Sequence, residues 1–259
     1  MKIIATTSLS DYMDENFNDF LAESGLEYIP RKNRSLPVLQ DEYQAEGIVI
    51  WYKGGPVLFI GEQKFFFHPN MAKTRISLYR KSGIVDPLVV ACDLKPGDQF
   101  LDCTLGLGAD SIVAAYFSDS GRVTGVESSP IMAAIVKWGM KLYQHESLWL
   151  INAVHQIEVE NCDHYTYLSN LDDKSCDIVY FDPMFRKPLL KSQALAPLRM
   201  LANHEPITQE SLQQACRVAR KRVVIKEQTL SGEFERLGIK KIVGSNNNKI
   251  NFGIIDCNE

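Results

Sequence analysis

An acid, a proline and an aromatic residue stand together at the end of an apolar run: Asp182, Pro183 and Phe185. The run, residues 177–182, is typical of a buried strand. A carboxylate and the carbonyl of the following proline can accept the hydrogens of an amino group, and proline fixes φ so that its carbonyl is aimed in advance. An aromatic ring can stack on a flat base, a contact worth roughly 1–3 kcal/mol. We interpret the three as catalytic residues of a reaction at an amino nitrogen, although Asp-Pro after a strand is also an ordinary turn.

A glycine-rich turn follows an earlier apolar run, which ends at Asp102. Gly106 and Gly108 allow the backbone to turn tightly beside a ligand, without a clashing Cβ. In an open parallel sheet, ligands bind beyond the carboxyl ends of the strands. We predict that Asp102, Thr104, Leu105, Gly106 and Gly108 bind a nucleotide cofactor. S-adenosylmethionine (SAM), a dinucleotide such as NAD and a plain strand–helix turn without a ligand all remain open at this point.

Acids also close the next two predicted strands. Glu127 is well placed to accept hydrogen bonds from both ribose hydroxyls of an adenosine, which either cofactor carries. Asp163 follows the third strand and could accept from the adenine amino group. Each is also consistent with a solvated carboxylate at a strand end. Asp110 stands in the first turn of a helix, where the helix dipole alone favours an acid.

The elements that must position these residues alternate regularly after residue 98. Apolar strands alternating with amphipathic helices predict an α/β fold: a Rossmann-like, mostly parallel sheet covered on both faces. The predicted strands are 99–103, 122–126, 156–160, 177–182 and 222–226, with a closing pair at 241–243 and 250–256. The predicted helices are 109–117, 130–143, 194–202 and 208–219.

The beginning of the chain has a different pattern. It predicts a small mixed α/β module over residues 1–69, followed by the main domain over residues 70–259. Strands 47–52 and 57–60, joined by a Gly-Gly-Pro turn, form a predicted hairpin. A helical pattern then runs from Met71 to Leu94.

Composition excludes several classes. The 259 residues are 45% hydrophobic, as in a globular protein, and no run approaches the roughly 20 apolar residues of a membrane span. The six cysteines show no C-x-x-C spacing, so we expect reduced thiols and no metal site. The apolar run at the first residues is too short for a secretory signal, and we expect a cytoplasmic protein.

The net charge of -4 hides an asymmetry. Residues 186–249 carry 13 Lys or Arg against 5 Glu. This surplus predicts either a basic face beside the site or solvated helices whose counter-charges lie elsewhere in the fold. In the first case Arg186, Lys187 and Lys191 would meet phosphates of an RNA substrate.

The order of the motifs resembles a known family. D-C-T-L-G-L-G-A-D-S, V-E-S-S-P, D-P-M-F and R-V-V-I-K follow one another as in bacterial class I methyltransferases related to the 16S ribosomal RNA guanine-N2 methyltransferase J. The resemblance covers about Phe67 to Lys226. It implies SAM as cofactor and a cofactor pocket lined by Ala109, Asp110, Glu127, Ser128, Cys162, Asp163 and Asp182.

Two single positions depart from the expected patterns. Thr104 stands at the first glycine position of the general methyltransferase turn, and Ala109 stands where members of the resembled family often carry arginine. The N-terminal module also differs and is closer to Gram-positive relatives.

Residues and resemblance together predict methyl transfer to an exocyclic amino nitrogen of a nucleic-acid base, with guanine N2 in ribosomal RNA as the leading substrate. A methyltransferase of a small molecule or a protein side chain is the first alternative. A non-catalytic protein that keeps the fold, and a dinucleotide-dependent oxidoreductase, are the others.

Overall fold

The computed structural model describes residues 1–8, 12–183, 201, 203, 205–245 and 249–257. The strands are β1 (Ile3–Thr7), β2 (Glu27–Tyr28), β3 (Gly47–Tyr52), β4 (Gly55–Ile60), β5 (Gln63–Phe65), β6 (Phe100–Asp102), β7 (Val123–Glu127), β8 (Ile157–Asn161), β9 (Cys176–Phe181), β10 (Ala219–Gln228), β11 (Lys241–Val243) and β12 (Ile250–Asp256). The helices are α1 (Glu15–Ser24), α2 (Leu36–Tyr43), α3 (Asn70–Ser82), α4 (Pro87–Cys92), α5 (Ala109–Ser118), α6 (Pro130–Lys141), α7 (Leu148–His155), α8 (His164–Ser169), α9 (Gln209–Val218) and α10 (Glu233–Arg236).

The larger sheet has seven strands in the order β11-β12-β10-β9-β6-β7-β8. The neighbours from β10 to β8 pair in parallel, whereas β12 is antiparallel to both β10 and β11. The chain passes from β6 through β7 to β8 and then returns to β9 on the other side of β6. Such a reversal of strand order opens a crevice at the carboxyl ends of the central strands. The predicted Rossmann-like, mostly parallel fold is confirmed.

The central strands are apolar because helices cover both faces of the sheet. All residues of β6 and β7 are buried, as are the last four of β9. Helices α5 and α6 are buried along most of their length against this sheet. The three strands whose ends carry Asp102, Glu127 and Asp182 are therefore held in the core of the molecule.

The smaller sheet has five strands in the order β2-β1-β3-β4-β5, with parallel pairs at β1 and antiparallel pairs from β3 to β5. The β3–β4 turn is shorter than predicted, because β4 begins at Gly55. Residues of both sheets share one apolar core: the rings of Trp51 on β3 and Trp138 on α6 lie 5.8 Å apart. The division after residue 69 stays a prediction.

Two local features differ from the predicted pattern. The helix predicted from Met71 to Leu94 is two helices, because Gly83 ends α3 with φ +71° and Asp86 caps α4 by accepting the N–H of Leu88. Helices α7, α8 and α10 were not predicted. The predicted helix 194–202 lies outside the described residues except for Leu201.

Within the residues that the structure describes, no helix has the length and apolar character needed to cross a bilayer. In the same part of the chain, no group of three His, Cys, Asp or Glu side chains is arranged to hold a metal ion.

Candidate active site

A cavity of about 220 Å³ lies at the carboxyl ends of β6, β7 and β9. Most of the predicted site residues line it: Asp102, Thr104, Leu105, Gly106, Ala109, Asp110, Glu127, Ser128, Asp182 and Pro183. The structure thus brings together the glycine turn, Glu127 at the end of β7 and the Asp182–Pro183 pair.

Three predicted cofactor residues lie beside the cavity without lining it. Gly108 is the N-cap of α5 and faces Met140. The backbone N–H of Cys162 donates to the carbonyl of Glu127 at 3.2 Å. Asp163 uses Oδ1 to cap α8 and keeps 46% of its side chain exposed. Their roles toward a ligand stay predictions.

Predictions on residues 184–200 lie outside the described part of the chain. These are the catalytic role of Phe185 and the phosphate contacts of Arg186, Lys187 and Lys191.

Hydrogen bonds of Asp102 and Thr104 connect the ends of β6 and β9. The carboxylate of Asp102 accepts the N–H of Thr104 at 3.0 Å and the hydroxyl of Ser111 at 2.6 Å. The Thr104 hydroxyl in turn accepts the backbone N–H of Asp182 at 2.6 Å. A glycine at this position has no hydroxyl and could not accept this hydrogen bond. Burial raises the pKa of Asp102 to about 6.

Glu127 and Gly106 form one part of the cavity wall. The Glu127 carboxylate is buried and accepts the N–H groups of Gly106 at 3.2 Å and of Ser129 at 2.9 Å. Burial raises its pKa. Gly106 has φ +52°, and the space into which a Cβ would project holds only the Thr104 carbonyl oxygen, 4.0 Å away. A ligand can therefore approach this backbone closely beside an acceptor suited to ribose hydroxyls.

Lys226 and Arg75 also line the cavity, and sequence reasoning assigned no role to either. The Lys226 ammonium lies 2.9 Å from Asp110 Oδ2 and 2.6 Å from Asp182 Oδ2. The Arg75 guanidinium binds both oxygens of Asp86 and donates to Asp110 Oδ1. The R-V-V-I-K motif ends at Lys226, so the sequence did contain a signal for this residue. The contacts of Lys226 with Asp110 and Asp182 could not be foreseen, because they depend on the strand order.

The carboxylates of this network differ in pKa. For Asp110 burial acts to raise the pKa, but the charges of Lys226 and Arg75 outweigh it, and the pKa falls below its usual range. For Asp182 burial raises the pKa, the charge of Asp110 adds to the rise, and Lys226 opposes it only in part. One ammonium between two carboxylates thus favours ionised Asp110 over ionised Asp182.

His164 is a further cavity residue that was not predicted. Its Nε2 lies 3.1 Å from the Ser211 hydroxyl, and its ring meets Phe181 edge-on. Burial lowers its pKa, so the imidazole is neutral at pH 7. The remaining lining residues without a predicted role are Met71, Cys103, Leu107, Val126, Met132, Asn203, Glu205 and Ile207.

A doubly wound sheet with a glycine turn, an acid at the end of the second strand and an Asp-Pro pair around one cavity defines the class of SAM-dependent methyltransferases with a Rossmann-like fold. Residues 66–249 match the family model described as "Putative SAM-dependent methyltransferase". The chain belongs to this family, and its cofactor is SAM.

Curated relatives agree with this assignment. The uncharacterized protein YpiP of Bacillus subtilis is 40% identical over 176 residues, 68% of each chain. Ribosomal RNA small subunit methyltransferase J of Coxiella burnetii is 33% identical over 149 residues, 56% of each chain. The corresponding protein of Alteromonas mediterranea is 29% identical over 63% of this chain, and the match spans 66% of that protein. The matches to the two named methyltransferases thus span less than two thirds of their length.

One solved structure resembles the whole chain. The SAM-dependent methyltransferase NGO1261 from Neisseria gonorrhoeae has a TM-score of 0.65 at 17% identity, and the match covers 97% of this chain and 95% of that one. At this identity the likeness supports the fold.

Proposed function

We propose that this enzyme transfers a methyl group to an exocyclic amino nitrogen of a nucleic-acid base, with guanine N2 in ribosomal RNA as the favoured substrate. The relatives named ribosomal RNA small subunit methyltransferase J support an RNA substrate. An enzyme of ribosomal RNA would work in the cytoplasm.

The observation that carries the proposal is the setting of Asp182 at the cavity. Its backbone N–H is held by Thr104, and its Oδ2 is held by Lys226. Among the described residues its Oδ1 has no hydrogen-bond partner, and Pro183 follows it at the cavity wall. In our proposal Oδ1 and the Pro183 carbonyl accept the amine hydrogens, so that the nitrogen lone pair points at the methyl group.

The chain's residues also suit the cofactor. SAM, when bound, supplies an electrophilic methyl group on a sulfonium sulfur. Glu127 would accept from the ribose hydroxyls, since each carboxylate oxygen has a further lone pair beyond the backbone N–H it already accepts. The Leu105–Gly106 backbone would lie against the ligand, and Asp163 Oδ2 would accept from the adenine amino group. Phe185 would stack on the base, which must leave its own stack to enter the site.

Replacing the proposed acceptor tests the proposal. Asp182→Ala should abolish methyl transfer to small-subunit RNA from a strain that lacks the gene, because the amine loses an acceptor. Titration calorimetry should give a SAM affinity within a few-fold of the wild type, because the ribose and adenine contacts remain. Full activity of Asp182→Ala would overturn the assignment of this residue.

A second candidate is methylation of a small molecule or a protein side chain, and one observation favours it. Most described cations after residue 204 are ion-paired within the fold, which leaves fewer of them for phosphates. These pairs are Arg217–Asp173, Arg220–Asp177, Lys221–Asp98, Arg222–Asp256, Lys226–Asp110, Arg236–Glu233 and Lys241–Asp256.

Salt dependence separates the two candidates. Binding of structured RNA should weaken steeply between low and physiological salt, because each phosphate contact releases a counterion. Binding that ignores salt, or no binding of RNA at all, would favour the second candidate.

A further inference from the structure

Lys226 occupies a position where one cation serves two acids. It lies on β10, next to β9 in the sheet, so its side chain reaches the end of β9. Its Nζ is 2.9 Å from Asp110 Oδ2 and 2.6 Å from Asp182 Oδ2, and 18% of the side chain is exposed. Asp110 also accepts the Tyr180 hydroxyl at 2.7 Å.

Asp110 has its hydrogen-bonding capacity directed inward. Oδ1 accepts from Arg75, and Oδ2 accepts from both Tyr180 and Lys226. The side chain is 7% exposed. Asp110 on α5 therefore holds the ammonium of Lys226, while Asp182 at the end of β9 meets the same ammonium with its Oδ2.

We propose that Lys226, anchored by Asp110, is a positioning residue that fixes Asp182 through Oδ2 and leaves Oδ1 aimed at the amino group to be methylated. The proposal deepens the function proposed above and rests on it. Neither lysine nor arginine can accept a hydrogen bond, so Lys226 cannot replace Asp182 as a partner of the amine. Its effect on the reaction passes through the orientation and the charge of Asp182.

Several charged or titratable groups surround Asp182 from the neighbouring elements. Lys226 comes from β10, Asp110 from α5, Asp102 from β6 and Tyr180 from its own strand. His164, Glu205 and Arg75 line the same cavity, and Arg75 also donates to Asp110. Lys226 is the cation in hydrogen-bond contact with Asp182 in the part of the chain that the structure describes.

The arrangement predicts that two substitutions change the pKa of Asp182 in opposite directions. Lys226→Met removes the ammonium and leaves two acids facing each other, so the pKa of Asp182 should rise by about 1 or more. Asp110→Asn removes the competing carboxylate and keeps the shape, so Asp182 gains the ammonium and its pKa should fall. A purely structural role of Lys226 predicts no such opposition.

The test is a carbon-13 NMR titration of the protein labelled at the aspartate carboxyl carbons, with the Asp182 signal assigned by its loss in Asp182→Asn. Lys221→Met is the matched control, because Lys221 lies on the same strand and pairs with Asp98 and Asp177. It should leave the titration of Asp182 unchanged. Lys226→Arg should restore most of the wild-type pKa.

An unchanged or lowered pKa of Asp182 in Lys226→Met would overturn the proposal, as would an unchanged or raised pKa in Asp110→Asn. If Lys226→Met does not fold, the isosteric Asp110→Asn decides alone. The titration needs no substrate, so its result is separate from the identity of the methyl acceptor. With the acceptor known, Lys226→Met should lower kcat at least about 10-fold while KM changes within a few-fold, because the lost group orients without binding.

Discussion

At the scale of single residues, Glu127 is a buried carboxylate whose position is fixed by the fold itself. Two backbone N–H groups hold it, so in our proposal it is in place before a ligand arrives. Burial raises its pKa. A hydrogen bond to such a charged group is worth about 1.5–3 kcal/mol.

Glu127→Gln keeps the size and removes the charge, so we expect SAM to bind about 10-fold more weakly. Titration calorimetry measures the change. Glu158→Gln is the control, because Glu158 is an exposed acid on the neighbouring strand that pairs with Arg122. Equal affinities of wild type and Glu127→Gln would remove Glu127 from the cofactor site.

Asp182 determines the expected pH dependence. Because its pKa is raised, protonated Asp182 persists to higher pH than an ordinary aspartate. Only the ionised form of Asp182 offers both oxygens as acceptors. We therefore expect kcat/KM to fall as the pH drops through the pKa of Asp182 in the folded protein. We expect a rise of kcat/KM between about pH 6 and about pH 8, and an Asp182→Asn enzyme with little activity throughout. A profile of the wild type that is flat over this range would contradict a role for ionised Asp182.

At the scale of elements, Arg75 joins three helices at the edge of the site. It stands on α3, binds Asp86 at the start of α4 and donates to Asp110 on α5. Both acids are buried, whereas 25% of the Arg75 side chain is exposed. Removing one partner of such a network leaves buried charge uncompensated.

Arg75→Met should lower the free energy of unfolding by about 3 kcal/mol, as measured by urea denaturation near pH 7. Arg122→Met breaks an exposed pair and should cost less than about 1 kcal/mol. The lowered pKa of Asp110 stabilises the fold at pH values above the unfolded pKa of about 4, and this stabilisation is lost progressively on further acidification, so the difference between the two proteins should begin to shrink below about pH 4. If Arg75→Met lowers the free energy of unfolding no more than Arg122→Met does, the ion-pair network around Arg75 contributes little to stability.

Local sequence patterns predicted the sheet because its strands are apolar runs followed by acids or glycines at fixed places. Asp102, Glu127 and Asp182 could be placed at strand ends in this way. Their partners could not, since Lys226 follows Asp182 by 44 residues and meets it only through the order of β9 and β10. Most of the described ion pairs of residues 205–249 likewise join residues far apart in the chain, as Lys221 and Asp98 do, whereas Arg236 and Glu233 lie within one helical turn. Helices α7 and α8 are short, and no strong periodic signal marks them.

At the scale of the whole molecule, the two sheets share an apolar core. Trp51 is fully buried, and its ring contacts Phe17 and Phe20 on one side and Trp138 on the other. Glu23 on α1 accepts the indole N–H of Trp138 at 3.0 Å. Such continuity favours cooperative unfolding over independent domains.

We expect peptides from β3–β4 and from β10 to lose hydrogen-exchange protection at the same urea concentration. Trp51→Ala should lower the urea midpoints of both sets of peptides together and reduce the free energy of unfolding by about 3–5 kcal/mol. Earlier unfolding of β3–β4 in the wild type would instead support a module that is independent over residues 1–69.

Base-amine methylation is best tested by identifying the modified nucleoside. Small ribosomal subunits and their extracted RNA, from a strain that lacks the gene, would be incubated with the enzyme and isotope-labelled SAM, digested, and examined by mass spectrometry. We predict label in N2-methylguanosine with the wild type and none with Asp182→Ala. Label on a base carbon, on a ribose oxygen or on ribosomal protein, with none on an exocyclic nitrogen, would contradict the proposed function.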